Sequence, residues 1–372
     1  MYYSISQFFP TGNDLGSLVQ VLFSLLFLVY LFYAQRIQVT MMLKQVEGAV
    51  IKLKVLRDQG RQAAVRTVSE IGKPTADISP RIDQMIEQFV ITPVDLDPAG
   101  IVRKLEQLMN VRELTFEEDV KEIAPQASLS EVHNLEMLIE SAMALNAIYK
   151  VIRHFYLLGK KTMNLYVIMQ VQMVLPLIMQ EVDAYASALQ ACVEGAPIGD
   201  GAGALMAARM MRGYPNRVIA KDTVVAEVPY EQRMLLVLKA MGPGGNVGKP
   251  GEAIANLLEE RGGKVAKIVM VDAAGKLEGE EAGSIAEGIG AAIGGIGVDK
   301  YKIEEVAVKY NLPVHAVAIK EDIKDTISPM KEAIVDGAEK AVEVVKRFVR
   351  ERTKEGDVLI VAGIGNTMGI AQ

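Results

Sequence analysis

The chain of 372 residues is long enough for about two or three domains, which excludes a single small binding module. Half of it is hydrophobic and 23% charged, a globular rather than a disordered composition, and its net charge of −6 gives no electrostatic ground for expecting nucleic acid as a partner. The single cysteine, Cys192, excludes an intramolecular disulfide framework, and the separated His133, His154 and His315 exclude local His-rich metal motifs.

From Leu15 to Tyr33 the chain reads LGSLVQVLFSLLFLVYLFY, without a charge. At 1.5 Å per residue such a helix spans roughly 28 Å, close to the thickness of a bilayer core. Nine of the 21 aromatic residues lie within the first 33 positions, with Tyr2, Tyr3, Phe8 and Phe9 before the apolar run and Tyr30 and Tyr33 at its end, where interfacial rings belong. A cleaved signal peptide needs a basic leader and a small-residue cleavage site, and this segment has neither: only Asp14 precedes it, and Ala34-Gln35-Arg36 follows. Between Arg36 and Arg66, seven basic residues face two acidic ones, so the positive-inside rule predicts a single-pass cell-membrane protein with its N-terminus outside and the rest cytoplasmic. The division that follows is a short extracytoplasmic N-terminus (1–14), a transmembrane helix (15–34), a helical domain (35–196) and an α/β domain (197–372). The lipid bilayer is one expected partner.

Composition changes near residue 196: 24 of the 32 glycines follow it. Before it, apolar residues recur at helical spacing, with breaks at Gly72-Lys73-Pro74, Thr92-Pro93 and Asp97-Pro98, so the spacing predicts only short helices before Ser128. Ser128 or Ser130 caps a long helix from Glu131 to Leu158, which Gly159 ends. A second long helix, 162–193, is interrupted by Pro176 and carries Gln170, Gln172 and Gln180, which favours a core or oligomer-facing helix over a second span. Its stripe of Leu165, Ile168, Met169, Gln172 and Met173 predicts a homo-oligomer.

After residue 196 the pattern predicts a helix at 203–211, strands at 218–228 and 234–240, a helix at 252–261 and a strand at 266–272. Helical segments reach 310, a strand covers 314–319, a helix 329–352 and a last strand 358–362. Apolar strands alternating with helices imply a three-layer α/β domain with a mostly parallel sheet.

Four loops sit at strand ends or helix starts, where ligands of open α/β sheets bind. In the first, Gly199, Gly201 and Gly203 bring backbone close to a helix N-terminus, and Asp200 offers either a cap or a carboxylate. The second, 242–251, is like a Walker A loop in Gly244, Gly245 and Lys249 but has Pro243 and Pro250 where glycine and the magnesium-binding hydroxyl belong; its readings are phosphate binding or a rigid loop whose Pro250 starts a helix. In the third, Asp272 ends a buried strand, a suitable place for a reacting acid. The fourth, with Gly363, Gly365 and Asn366, lacks the following helix that a dinucleotide needs, so no nicotinamide cofactor is expected. Gly288, Gly290, Gly294 and Gly295 lack a preceding strand and read as sites of close helix packing.

Together the loops resemble the hydrogenase-maturation endopeptidases and spore-protease-like hydrolases. Gly363-Ile364-Gly365-Asn366 is similar to their G-x-G-N loop, Gly199-Asp200-Gly201-Ala202-Gly203 to their G-D loop, and Val271-Asp272-Ala273 to their strand-end V-D-A. The G-x-G-N loop stands at the end of the chain rather than the beginning, so the resemblance implies a circular permutation. It also implies that Asp200 and Asp272 act at the site or hold a divalent metal. The family's histidine after Ser-Pro is Met330 here, with His315 as the substitute. The whole layout resembles an uncharacterised family of archaeal membrane-anchored proteins, a conserved domain of unknown function. Three functions follow: an oligomeric scaffold or sensor, a membrane-tethered hydrolase of peptidase type, and a phosphate or nucleotide sensor.

Overall fold

The structure, a computed structural model, describes residues 15–94 and 100–372. The expected N-terminal tail (1–14), with its interfacial rings, and the Asp97-Pro98 break lie outside the described residues. The described chain forms two compact units, one built from the chain up to Lys54 together with Ile148–Met179, the other from Val55–Ala147 and Gln180–Gln372.

The helices before residue 196 are α1 (Leu15–Gly72), α2 (Ser79–Ile86), α3 (Ile101–Ile123), α4 (Leu129–Thr162) and α5 (Leu165–Glu194). Short helices are therefore not what precedes Ser128: α1 alone has 58 residues, because no proline or glycine pair interrupts it before Gly72-Lys73-Pro74. The start of α4 follows the sequence, since Ser128 Oγ accepts from Glu131 N–H and the Glu131 carboxylate accepts from Ser128 N–H at 2.7 Å, a capping box. Its end does not, because the helix continues through Gly159 to Thr162. Gly159 serves packing there: a Cβ on it would lie 2.6 Å from Ile168 Cγ1.

In the first unit, Leu18, Val19, Leu22, Phe23 and Leu25–Leu31 of α1 are 50–69% exposed, with no protein covering them. Among the described residues, α5 is by itself long and apolar enough to cross a membrane, whereas the N-terminal segment is so only as the pair Leu18–Leu31 and Arg36–Gly72, inclined at 42°. The reading of α5 as a core helix is corrected: little of its most apolar window is buried, and Tyr166, Met173 and Leu177 are strongly exposed. The stripe chosen from sequence divides. Ile168 is buried, Leu165, Met169 and Gln172 are half-buried, Gln172 is hydrogen-bonded to Gln45 of α1, and only Met173 faces out.

In the second unit, β1 (Asn216–Ala220), β2 (Thr223–Tyr230), β3 (Arg233–Ala240), β4 (Lys267–Gly275), β5 (Ile285–Ile289), β6 (Val314–Glu321) and β7 (Val358–Gly363) form one sheet in the order β1-β2-β3-β7-β4-β6-β5. The inner pairings β3–β7, β7–β4 and β4–β6 are parallel; the edges, β1–β2–β3 and β6–β5, are antiparallel. The sheet is thus mixed. The single strand expected over 218–228 is a hairpin that turns at Lys221-Asp222, where Asp222 has φ 49°. The helical reading of 276–297 missed β5, whose Ile-Ala-Glu-Gly-Ile sequence has no buried apolar run and pairs as a half-exposed edge.

The helices are α6 (Ala202–Met211), α7 (Pro250–Glu260), α8 (Val298–Lys309), the short α9 (Ile323–Thr326) and α10 (Glu332–Arg352). From β3 through α7 to β4, and from β4 through α8 to β6, the chain advances one way along the sheet; from β6 through α10 to β7 it returns. A constant right-handed crossover therefore puts α7 and α8 on one face and α10 on the other. The two cores agree. Ile254, Leu257, Leu258 and Ile303 pack with Leu236, Leu238, Ile268 and Ile360 on the first face; Met206, Ala338, Val345 and Val349 pack with Leu235, Val237, Val269 and Val361 on the second.

Candidate functional site

The loops after β3, β4 and β7 leave the C-terminal ends of parallel strands, the side of an open α/β sheet where ligand crevices lie. The loop that ends the chain lies against the loop that opens α6. Gly203 is pinned between two strand-end carbonyls, such that a Cβ would lie 2.2 Å from Val271 O and 2.4 Å from Ile364 O. Gly365, at φ 120°, leaves no room either: a Cβ there would be 1.8 Å from Asp200 O. In space, α6 stands where a helix following β7 would stand, although in the chain it comes before β1.

This contact brings the sequence-selected acids together. Asp200 does not cap α6; its Oδ2 accepts from Asn366 N–H at 2.8 Å. Asp272 Oδ1 accepts from Ala273 N–H at 2.8 Å, and the backbone N–H of Gly294 also donates to its carboxylate. Burial raises the Asp200 carboxyl. Burial, reinforced by the negative charge of Asp200, pushes Asp272 up to about 7. Behind the pair sits Glu321 at the end of β6, 1% exposed. Burial and the charges of Asp200, Asp325 and Asp272 raise it to about 8.

Asp200, Asp272, Gly245, Lys249, Gly365 and Asn366 all line one cavity of about 520 Å³. The opposite wall consists of α3 and α4, with Glu113 and Glu117 on the former and His133, Glu136 and Glu140 on the latter. Ten carboxylates and four cations line the cavity, and each cation is already paired. Lys249 Nζ binds Glu113 at 2.5 Å; Lys221 binds Glu113 and Glu117 at 2.9 and 3.1 Å; Arg112 binds Glu140 and Lys302 binds Glu106, each at 2.5 Å. Burial, with the charges of Glu117 and Glu140, pushes Glu136 up to about 8.

Several expectations change here. Lys249 is held by Glu113 and Asn110, and Gly245 N–H donates to Asn134 Oδ1 at 2.9 Å, so neither is presented to a phosphate. Gly244 O accepts from Thr367 Oγ1 at 2.9 Å, and Pro250 begins α7. Gly199 and Gly201 support the site from behind, packing against Glu321 and Asn366. Gly294 and Gly295 do not serve helix packing but belong to the loop that closes the cavity beside Asp272. His315 cannot stand in for a histidine at the site. It pairs with Val269, three residues before Asp272, and its ring lies 4.5 Å from that of Phe348. Met330 is the residue near the loop, 3.5 Å from where a Cβ of Gly201 would stand. Among the described residues no group of three or more His, Cys, Asp or Glu side chains is placed to hold a metal ion.

Two family models match the chain: the N-terminal domain of a protein of unknown function (DUF1512) over residues 20–195, and the C-terminal domain of the same family over residues 198–371. The chain belongs to this family. No curated protein and no solved structure matches it. The helical wall of the cavity was missed from sequence. Its signal was present in the polar residues His133, Glu136 and Glu140 at three- and four-residue spacing on α4, which reads equally as a solvated helix face.

Proposed function

We propose that the protein is membrane-anchored and that its α/β part is a hydrolase-type site for a positively charged amide or ester, with Asp200 and Asp272 as the reacting pair. The observation that carries this reading is the pair itself: two carboxyl groups facing one cavity at the sheet's C-terminal edge, with the charge of Asp200 opposing charge on Asp272. In hydrolysis the ionised member takes a proton from water as the water oxygen attacks the scissile carbonyl carbon. The neutral member gives its proton to the leaving nitrogen or oxygen, so the pair ends with one proton, as it began. Asp272, near 7, is matched to a proton exchanged at neutral pH. Excess carboxylates with every lining cation paired favour a cationic substrate over a phosphate or nucleotide.

The anchor is α1 from Leu18 to Leu31, whose apolar side chains lack protein cover; the basic excess after it puts the rest of the chain in the cytoplasm. The α5 helix is the weaker candidate, because Ile168 and Val171 are buried against protein and Gln172 is bonded to Gln45. Fluorogenic coumarin amides of lysine, arginine and glutamate test the activity on full-length protein in detergent. The lysine and arginine amides are cleaved in preference to the glutamate amide, and Asp272→Asn lowers kcat about 100-fold or more with little change in KM. Absence of turnover on every amide and on the matching esters would overturn the hydrolase.

A second reading, a homo-oligomeric scaffold, is favoured by one face of α1. Ile37, Met41 and Ile51 are 49–61% exposed at heptad spacing, with Lys44 and Gly48 between them. The expected result is a detergent-extracted oligomer that Met41→Asp with Ile51→Asp reduces to a smaller folded species; a monomer at every concentration removes this reading.

A further inference from the structure

Unit one carries basic charge beyond the flank that orients the anchor. In residues 34–54 and 148–179 there are eight Lys or Arg residues and one acid, Glu47, within a chain whose net charge is −6. The Glu47 carboxylate is engaged, accepting from Tyr156 O–H at 2.7 Å. Two of these charges, Lys160 and Lys161, are exposed at the turn between α4 and α5, together with Met163 and Tyr166.

The turn is rigid and its level along α1 is fixed. Met163 adopts φ 51°, and Asn164 Oδ1 caps α5 by accepting from Tyr166 N–H at 2.9 Å. Gly159 packs against Ile168 and Leu43, Tyr156 reaches Glu47, and Gln172 reaches Gln45. These contacts run α4 antiparallel to α1, with the turn pointing towards the apolar N-terminal segment. Gly159 sits level with Leu43, and α4 ends three residues later, so the tip stands near Val39, six residues from Tyr33. At 1.5 Å per residue that is about 9 Å, comparable with the headgroup layer outside a bilayer core. Lys and Arg stems add further reach while keeping the charged ends in water.

We infer that the α4–α5 turn rests on the anionic headgroup surface of the membrane in which α1 is anchored, through Lys160 and Lys161, with Met163 and Tyr166 at the interface. This contact rests on the anchor proposed above. It gives the protein a second attachment point and thereby fixes the rotation of α1 about its axis. Net positive charge selects anionic lipid over a neutral surface, because basic residues are attracted only where the leaflet carries negative charge.

The test uses full-length protein reconstituted in vesicles, with an environment-sensitive bimane label on Met163→Cys or, separately, on Leu25→Cys; the native Cys192 is buried. Quenchers are nitroxides on the lipid headgroup or deep in the acyl chain. In vesicles containing roughly 30 mol% phosphatidylglycerol, the Met163→Cys label is quenched by headgroup nitroxide, about two-fold or more above the level in neutral phosphatidylcholine. Lys160→Glu with Lys161→Glu abolishes that excess, as does salt near 1 M, where the screening length falls to about 3 Å. Circular dichroism of the double variant verifies that it is folded. Equal quenching in neutral and anionic vesicles, or an excess that survives the charge reversal, overturns the headgroup contact. Quenching of Met163→Cys by the acyl-chain nitroxide also overturns it, since α5 itself would then be inserted. If Leu25→Cys is quenched in the acyl chain and Met163→Cys is not quenched at the headgroup, the anchor stands and the contact falls. If neither is quenched, the anchor falls first and the contact with it.

Discussion

The two walls of the cavity use the same residue types to opposite electrostatic ends. On the helical wall, burial opposes charge on Glu113 and Glu117, yet the ammonium groups of Lys249, Lys221 and Lys121 outweigh it and hold both carboxyls below the usual range. On the sheet-end wall no cation approaches Asp200 or Asp272 within salt-bridge distance among the described ion pairs, and both carboxyls move the other way. The α3 carboxyls are held charged by their lysines, whereas burial favours the neutral forms of the sheet-end pair and of Glu136 on α4. The paired and unpaired carboxyls therefore oppose one another with pH. Depressed carboxyls stabilise the fold at neutral pH and lose that contribution as pH falls through the unfolded value and then the folded one. Raised carboxyls stabilise it in acid and lose that contribution as pH rises towards 8.

The sharpest way to break the sheet-end wall is through its backbone. Gly203→Val drives a side chain into two carbonyls that hold α6 to β4 and β7, and we expect a loss of about 4 kcal/mol or more in denaturant unfolding. An equally stable variant would mean that α6 does not depend on this contact. The next effect separates the walls by pH. Glu321→Gln removes a carboxyl raised to about 8 from its unfolded value near 4.5, so the variant gains stability over the natural chain as pH rises from 5 to 8, by several kcal/mol. A difference that stays flat across this range would show that Glu321 is ionised in the fold.

Lys239 extends the comparison to a buried cation without a carboxylate. It is fully buried on β3, its Nζ donates to Ala240 O at 3.0 Å, and burial lowers it to about 8. Lys239→Met is expected to raise stability at pH 7 by roughly 3 kcal/mol, with the advantage shrinking as pH rises from 8 towards the unfolded value near 10.5. Thermal melts at pH 7 and 10 check the sign. The smallest effect is on the helical wall. Lys249→Met breaks a half-exposed pair with Glu113 and is expected to cost about 1 kcal/mol or less, reduced further by salt; a much larger loss would make Lys249 a keystone of the cavity.

Much of the α/β part was legible because its signals are local. Buried parallel strands such as Ile268–Val271 and Leu359–Ala362 are continuous apolar runs, and α10 buries one face at helical spacing from Ile334 to Val349. β5 was illegible for the complementary reason: an exposed edge strand has no buried face to betray it, and its pairing with β6 is what makes it a strand. The Lys221-Asp222 turn was hidden by apolar residues on both sides of it.

The sequence by itself determined the buried strands and most helices of the α/β part, the charge-free N-terminal segment with its basic flank, and the residue types at each loop, because periodicity, turn chemistry and composition are written in consecutive residues. Only the tertiary structure decided what those loops do. It set Asn366 against Asp200 across 166 positions, tied Lys249 to Glu113 on a helix with no sequence signal linking the two, and left Asp272 and Glu321 buried without a cation among the described ion pairs. Protonation and availability depend on which charges and how much water surround a group, and in a folded chain those neighbours come from distant segments.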